Sequence, residues 1–272
     1  MANINNLKGI VTKELHVFYL IDNSGSMKGQ PIATVNYAMR ETIEELKNII
    51  APNDIHLKIA AMEFNTNVKW ITQGERHLEN VDDFIWEDVE ADGRTSLGAA
   101  LSLLNRSMTQ DKMMHSKTGN KAPVIIVMSD GAPTDEWIES LEKLQKNEWF
   151  KQAIKIGIAI GSRADVNVLS RLVGSKEAVI FADNLDYLRK IIRIVSVTSS
   201  LSGSYSHTSK TNVTGASIVQ NIKSEETEMF KDFKVQDFNF DEVPLSDEET
   251  KDLFDMDNYD MMDFDELFKE GF

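Results

Sequence analysis

Residues 18–31 read FYLIDNSGSMKGQP, an apolar run that breaks into an acid, two serines and two glycines. Just upstream, residues 15–21 (LHVFYLI) are dense in β-branched, aromatic and other apolar side chains, the pattern of a short strand covered on both faces. Downstream, Pro31 suits the first turn of a helix, and residues 33–50 (ATVNYAMRETIEELKNII) carry helical periodicity. The polar cluster therefore occupies a loop between a strand and a helix. In open α/β sheets, ligands bind at the carboxyl ends of the strands, which is where this loop lies.

The same alternation continues along the chain. Strands are predicted at 55–64 (IHLKIAAMEF), 122–130 (APVIIVMSD), 153–161 (AIKIGIAIG) and 178–182 (AVIFA), with a short hairpin partner at 67–72 (NVKWIT). Helices are predicted at 96–108, where Gly98 suits close helix–sheet packing, at 134–147 opened by Pro133 and Thr134, near 165–173, and at 185–199. Strands joined by crossover helices predict a Rossmann-like, doubly wound and mostly parallel sheet flanked by helices. This α/β domain is expected over residues 1–198. Residues 199–224 begin SSLSGSYSHTSKTNVTGAS, and their Ser, Thr and Gly content predicts a linker.

Residues 225–272 hold 18 Asp/Glu and 4 Lys/Arg, a net charge of −14, while residues 1–224 hold 26 and 25, a net of −1. The acidity therefore belongs to the tail. A nearly neutral body without a basic stripe gives no electrostatic basis for nucleic-acid binding. The tail interleaves its acids with Leu253, Phe254, Met256, Tyr259, Met261, Met262, Phe264, Leu267 and Phe268. It is too charged to form a core and too apolar for a plain solubilising tail, and the stretch 237–272 is expected to dock on a second partner or on a metal site of its own kind of domain. A solvated tail without a specific role is the third reading. No run approaches the ~20 apolar residues of a membrane span, and MANINNLKG lacks a secretory apolar core. A cytoplasmic protein with no membrane partner is expected. The absence of cysteine excludes disulfides and thiolate metal sites, and the five histidines are scattered without ligand spacing.

Three edge loops each offer hard oxygens. Asp22, Ser24 and Ser26 form D-x-S-x-S, Thr95 lies in DGRTSLG (92–98) just before a helix, and Asp130 ends a strand in IVMSDGAPTD (126–135). Two carboxylates and three hydroxyls suit Mg²⁺, with Mn²⁺ or Ca²⁺ as alternatives, and so few charges leave the ion electrophilic. D-x-S-x-S, a downstream Thr and S-D-G-x-P-T-D together resemble the metal-ion-dependent adhesion site (MIDAS) of von Willebrand factor A domains, over roughly residues 14–195. IDNSGSMKGQPIATVNYAM and SDGAPTDEW look like the TerY-type branch, associated with tellurite resistance and stress operons. The resemblance implies that Ser24, Ser26 and Thr95 bind metal directly, and Asp22 and Asp130 directly or through water. It implies a protein partner that completes the metal with an Asp or Glu, and a setting beside a Ser/Thr kinase and a PP2C-like phosphatase. In that setting the hydroxyl-rich linker is a phosphorylation target. Where the branch often has Gly, this chain has Arg94, which would either guide an acidic ligand or narrow the site.

Enzyme signatures are missing from the sequence. Ser24 stands where a D-x-D phosphatase needs its second acid, VFYLIDNS (17–24) holds only one acid of a receiver pocket, and neither G-x-S-x-G nor G-x-x-x-x-G-K-[ST] occurs. The reading is a non-enzymatic, metal-dependent interaction module. Its alternative is a metal-independent scaffold, or an adaptor for a AAA+ ATPase, acting through the acidic tail.

Overall fold

A computed structural model describes residues 14–50, 56–116, 119–162, 164–182 and 214–220, with single positions between 184 and 196. Seven strands form one sheet: β1 (Glu14–Asp22), β2 (His56–Phe64), β3 (Val68–Trp70), β4 (Glu79–Asn80), β5 (Val124–Ser129), β6 (Ile154–Ile160) and β7 (Val179–Ala182). Their order is β3-β2-β1-β5-β6-β7, with β4 also on β2. The pairs β1·β2, β1·β5, β5·β6 and β6·β7 are parallel, and only β3 and β4 run antiparallel to β2. This is the mostly parallel, helix-flanked sheet that the alternation predicts. The two-residue β4 carried no readable period.

β1 sits at the centre, and its two faces feed two cores. Leu15, Val17, Tyr19 and Ile21 pack with Val35, Met39, Ile43 and Leu46 of α1 (Gln30–Ile50). Phe18 and Leu20 face Leu101 and Leu104 of α2 (Leu97–Ser107) and Leu141 and Leu144 of α3 (Trp137–Leu144). Alternation of side chains across a strand makes this division automatic once both faces are apolar. On the second face also lies α5 (Val166–Val173), whose Asp165 side chain accepts from the amides of Asn167 and Val168. Helical positions 188 and 192 place Leu188 and Ile192 in the first core.

Two expectations are corrected. The helix predicted over 134–147 starts only at Trp137, and α4 (Glu148–Gln152) follows as a separate helix. Thr134 and Asp135 are spent on a neighbour: Thr134 donates from N and Oγ1 to Thr95 O at 2.8 and 3.2 Å, and Asp135 accepts from Gly98 N and Ala99 N at 2.9 and 3.0 Å. The expected linker also contains structure. Residues 215–220 are helical, Thr214 Oγ1 accepts from Ser217 N at 3.2 Å as a cap, and Ile218 and Val219 are buried in the first core. The remainder of the linker and the whole tail lie outside the described residues.

Asn147 joins two helices on the second face of the sheet. Its Oδ1 accepts from Trp149 N and Phe150 N at 2.9 and 3.3 Å to cap α4, while its Nδ2 donates to Asn105 Oδ1 and Met108 O at 3.1 and 3.0 Å. Asn147→Ala removes the cap and leaves a carbonyl unpaired, so a loss of about 2 kcal/mol is expected in a urea melt. Asn147→Ser, which keeps a capping acceptor without setting a charge against Met108 O, should recover roughly half. Equal midpoints for all three proteins would show that the cap contributes nothing.

Candidate metal centre

The order of strands reverses between β1 and β5. The chain leaves β1 through α1 on one face and leaves β5 through α3 on the other, so the loops diverge and open a crevice at the strand ends. Asp22 ends β1, and Ser129 ends β5 one register step beyond the Ile21–Met128 pair. The crevice is therefore lined by the polar residues that follow both strands.

Within it, a continuous set of hydrogen bonds joins four of the five sequence candidates. Asp22 Oδ1 accepts from Ser24 N at 2.9 Å, Ser24 Oγ lies 3.1 Å from Ser26 Oγ, and Ser26 Oγ donates to Asp130 Oδ1 at 2.8 Å. Burial is graded along this path. Asp22 and Ser24 are 0 % and 1 % exposed, Asp130 is half-buried and Ser26 is open to solvent. The fifth candidate, Thr95, sits in the adjoining loop at 6 % exposure. Two backbone bonds tie that loop to the serine loop: Gly25 N to Gly93 O at 2.9 Å and Asp92 N to Asn23 O at 2.9 Å. Among the described residues the Thr95 hydroxyl forms no hydrogen bond, so its lone pairs remain for a ligand.

Gly93 is required at its position. Its φ of +77° lies in the left-handed region, and a Cβ would stand 2.3 Å from Thr66 Oγ1. Thr66 Oγ1 in turn accepts from Arg94 N at 3.0 Å, so the turn that presents Thr95 is fixed at both ends.

Sequence reasoning missed three contributors. Ser129 donates to Asp22 Oδ2 at 2.6 Å, and with Ser24 N it holds both carboxylate oxygens in place. Asn23 Nδ2 donates to Glu90 O at 2.8 Å and locks the two loops together. Asp135 orders the start of α2 immediately after Thr95. Ser129 and Asp135 stood inside the S-D-G-x-P-T-D motif. Asn23 had no signal, because its partner is a distant backbone group.

Burial pushes the Asp22 carboxyl up to about 6, with the nearby Asp130 charge adding to the rise and the Ser129 and Ser24 hydrogen bonds opposing it. No cation among the described residues pairs with Asp22. No three His, Cys, Asp or Glu side chains cluster there or elsewhere in the described residues. A buried carboxylate without a counter-ion, bordered by hydroxyl oxygens and a second carboxylate, fits a small hard dication and does not fit a soft one.

Comparison with known proteins bears on the family and the fold. A family model described as von Willebrand factor type A domain matches residues 16–193. The human collagen alpha-5(VI) chain is 23% identical over 189 residues, which is 70% of this chain and 7% of that one. A von Willebrand factor type A structure from Catenulispora acidiphila superposes with a TM-score of 0.52 at 16% identity, covering 70% of this chain and 43% of that one. Proximal thread matrix protein 1 from the mussel byssus, with zinc occupying its MIDAS motif, gives 0.52 at 14% identity, covering 68% of this chain and 48% of that one. At these identities the structural likeness concerns the fold. The chain spans less than half the length of these relatives.

Proposed function

The chain belongs to the von Willebrand factor type A domain family, and from that premise we propose that it is a non-enzymatic, metal-dependent protein-binding module. In this reading Ser24, Ser26 and Thr95 hold a divalent cation directly, and Asp22 and Asp130 hold it directly or through water. The carrying observation is the hydrogen-bonded path from buried Asp22 through Ser24 and Ser26 to Asp130. The cation supplies an electrophilic open position for an Asp or Glu of the partner. Mg²⁺ is favoured because it is held by few carboxylates, with Mn²⁺ or Ca²⁺ as alternatives. The zinc in the mussel protein's motif supports a divalent ion in general.

The residues of the chain perform the remaining tasks. Ser129 and Ser24 N orient the Asp22 carboxylate, Asn23 and Gly93 hold the Thr95 loop against the serine loop, and exposed Ser26 marks the face the partner meets. We place the protein in the cytoplasm, in a TerY-like stress or signalling complex with a Ser/Thr kinase and a PP2C-like phosphatase. The motifs IDNSGSMKGQPIATVNYAM and SDGAPTDEW support that assignment. The hydroxyl-rich 199–217 stretch would be the kinase's target, and the acidic 237–272 stretch a second docking element. No helix among the described residues is long and apolar enough to cross a membrane.

The test is affinity capture from host lysate on the full chain in Mg²⁺, in EDTA, and in Mg²⁺ with a Ser24→Ala/Ser26→Ala variant. A protein retained only in the first condition is expected. Equal retention in all three would replace the metal bridge with the metal-independent scaffold or AAA+ adaptor acting through the acidic tail.

A further inference from the structure

We propose that Arg94 selects the partner by binding a second carboxylate beside the one the metal takes, so that the surface recognises paired acids in preference to a lone Asp or Glu. This inference rests on the metal-bridged reading above. Arg94 immediately precedes Thr95, and its backbone is fixed by the bond from its N–H to Thr66 Oγ1 at 3.0 Å and by the left-handed turn at Gly93. The two neighbours then part company. Thr95 is buried at 6 % exposure, whereas Arg94 is exposed. Arg94 is therefore the solvent-exposed neighbour of a candidate metal ligand.

Among the described residues, the Arg94 guanidinium forms no hydrogen bond and no ion pair. Among the carboxylates of the adjoining loops, Asp130 and Asp135 are engaged, and exposed Asp92 makes only a long contact. Asp92 faces Lys28 Nζ at 4.0 Å, Asp135 accepts from Gly98 N and Ala99 N, and Asp130 accepts from Ser26 Oγ. An exposed cation next to a candidate metal ligand in sequence, with no internal partner, is available for a charge that arrives with the ligand.

Charge balance shows which charge that is. Asp22 and Asp130 together neutralise a dication, so the first incoming carboxylate leaves the site with one net negative charge. A second carboxylate alongside would meet repulsion, and Arg94 cancels it. The planar guanidinium also takes a carboxylate through two parallel bonds, which an ammonium does not reproduce.

The test uses small probes on the full chain, with Mg²⁺ in excess and binding followed by NMR shifts. Propionate carries one carboxylate; succinate, glutarate and adipate carry two at increasing span. At least one dicarboxylate is expected to bind about three- to fivefold more tightly than propionate, beyond the twofold statistical advantage of two equivalent groups. Arg94→Gln should erase that preference and weaken propionate binding far less than dicarboxylate binding, while Lys28→Gln should leave both intact. A preference that survives Arg94→Gln, is lost with Lys28→Gln, or is absent from the unaltered chain overturns the role of Arg94. In those cases Mg²⁺-dependent propionate binding would still uphold the metal bridge. Propionate binding that is unchanged in EDTA, or absent throughout, would remove the metal bridge and this inference with it.

Discussion

Asp130→Ala is expected to abolish the Mg²⁺-dependent rise in melting temperature while leaving the metal-free protein folded. Asp130 is half-buried at the end of β5 and belongs to no apolar core, so its truncation costs little packing. Its role is electrostatic. With Asp130 removed, the donor set keeps one carboxylate, and affinity for a dication should fall by at least about 100-fold. At a metal concentration 100 times the dissociation constant, ligand binding stabilises a fold by about 2.7 kcal/mol, and nearly all of that should vanish in the variant. The comparison is a pair of thermal melts, each in Mg²⁺ and in EDTA. A variant that keeps its full Mg²⁺ shift would place the cation elsewhere.

Gly98→Ala is the second large effect, and two physical rules disagree about its sign. Gly98 lies in the first turn of α2, where helix propensity alone predicts that Ala stabilises by about 1 kcal/mol. The packing predicts the reverse. A Cβ there would stand 2.8 Å from Glu136 O and 2.9 Å from Trp137 Cα, both backbone atoms that no rotamer change can move aside. Overpacking of this kind costs about 1–3 kcal/mol, so after the propensity gain a net loss of about 1 kcal/mol is expected in chemical denaturation. Because Thr95 lies three residues before Gly98, the same change should weaken Mg²⁺ binding, whereas an ordinary core truncation on α2 should spare it. A gain in stability would mean that the contact relaxes and propensity governs.

Gly98 also shows how far the sequence could be read. Its presence suggested close packing against the sheet, and the close approach is real, but the neighbour is the start of α3 and not a strand. Strands β1, β2, β5, β6 and β7 were legible because each is a continuous apolar run bounded by polar or small residues, and their alternation with helical periods implied the parallel order. Asp22, Ser24, Ser26 and Asp130 were legible because D-x-S-x-S and S-D-G-x-P-T-D each follow an apolar strand and together resemble a known motif, although Asp and Ser alone are ordinary turn residues. The late start of α3 was not, since Thr134 and Asp135 look like capping residues for their own helix and instead serve α2, some 40 residues earlier in the chain. Ile218 and Val219 were hidden by the hydroxyl-rich text before them. In each missed case the deciding partner is remote in sequence.

The hydrogen bond from Ser129 to Asp22 spans 107 residues, and the one from Ser26 to Asp130 spans 104. A chain that has folded only as far as β1, α1 and β2 possesses the serine loop but not the other half of the crevice. Loop closure must bring β5 beside β1 before the donor set exists, and a cation that needs the complete set has little to bind until then. In the proposed metal-bound state, stabilisation would therefore act after β5 has joined β1. Such an ion would lengthen the lifetime of the folded molecule and leave the speed at which it is reached almost unchanged.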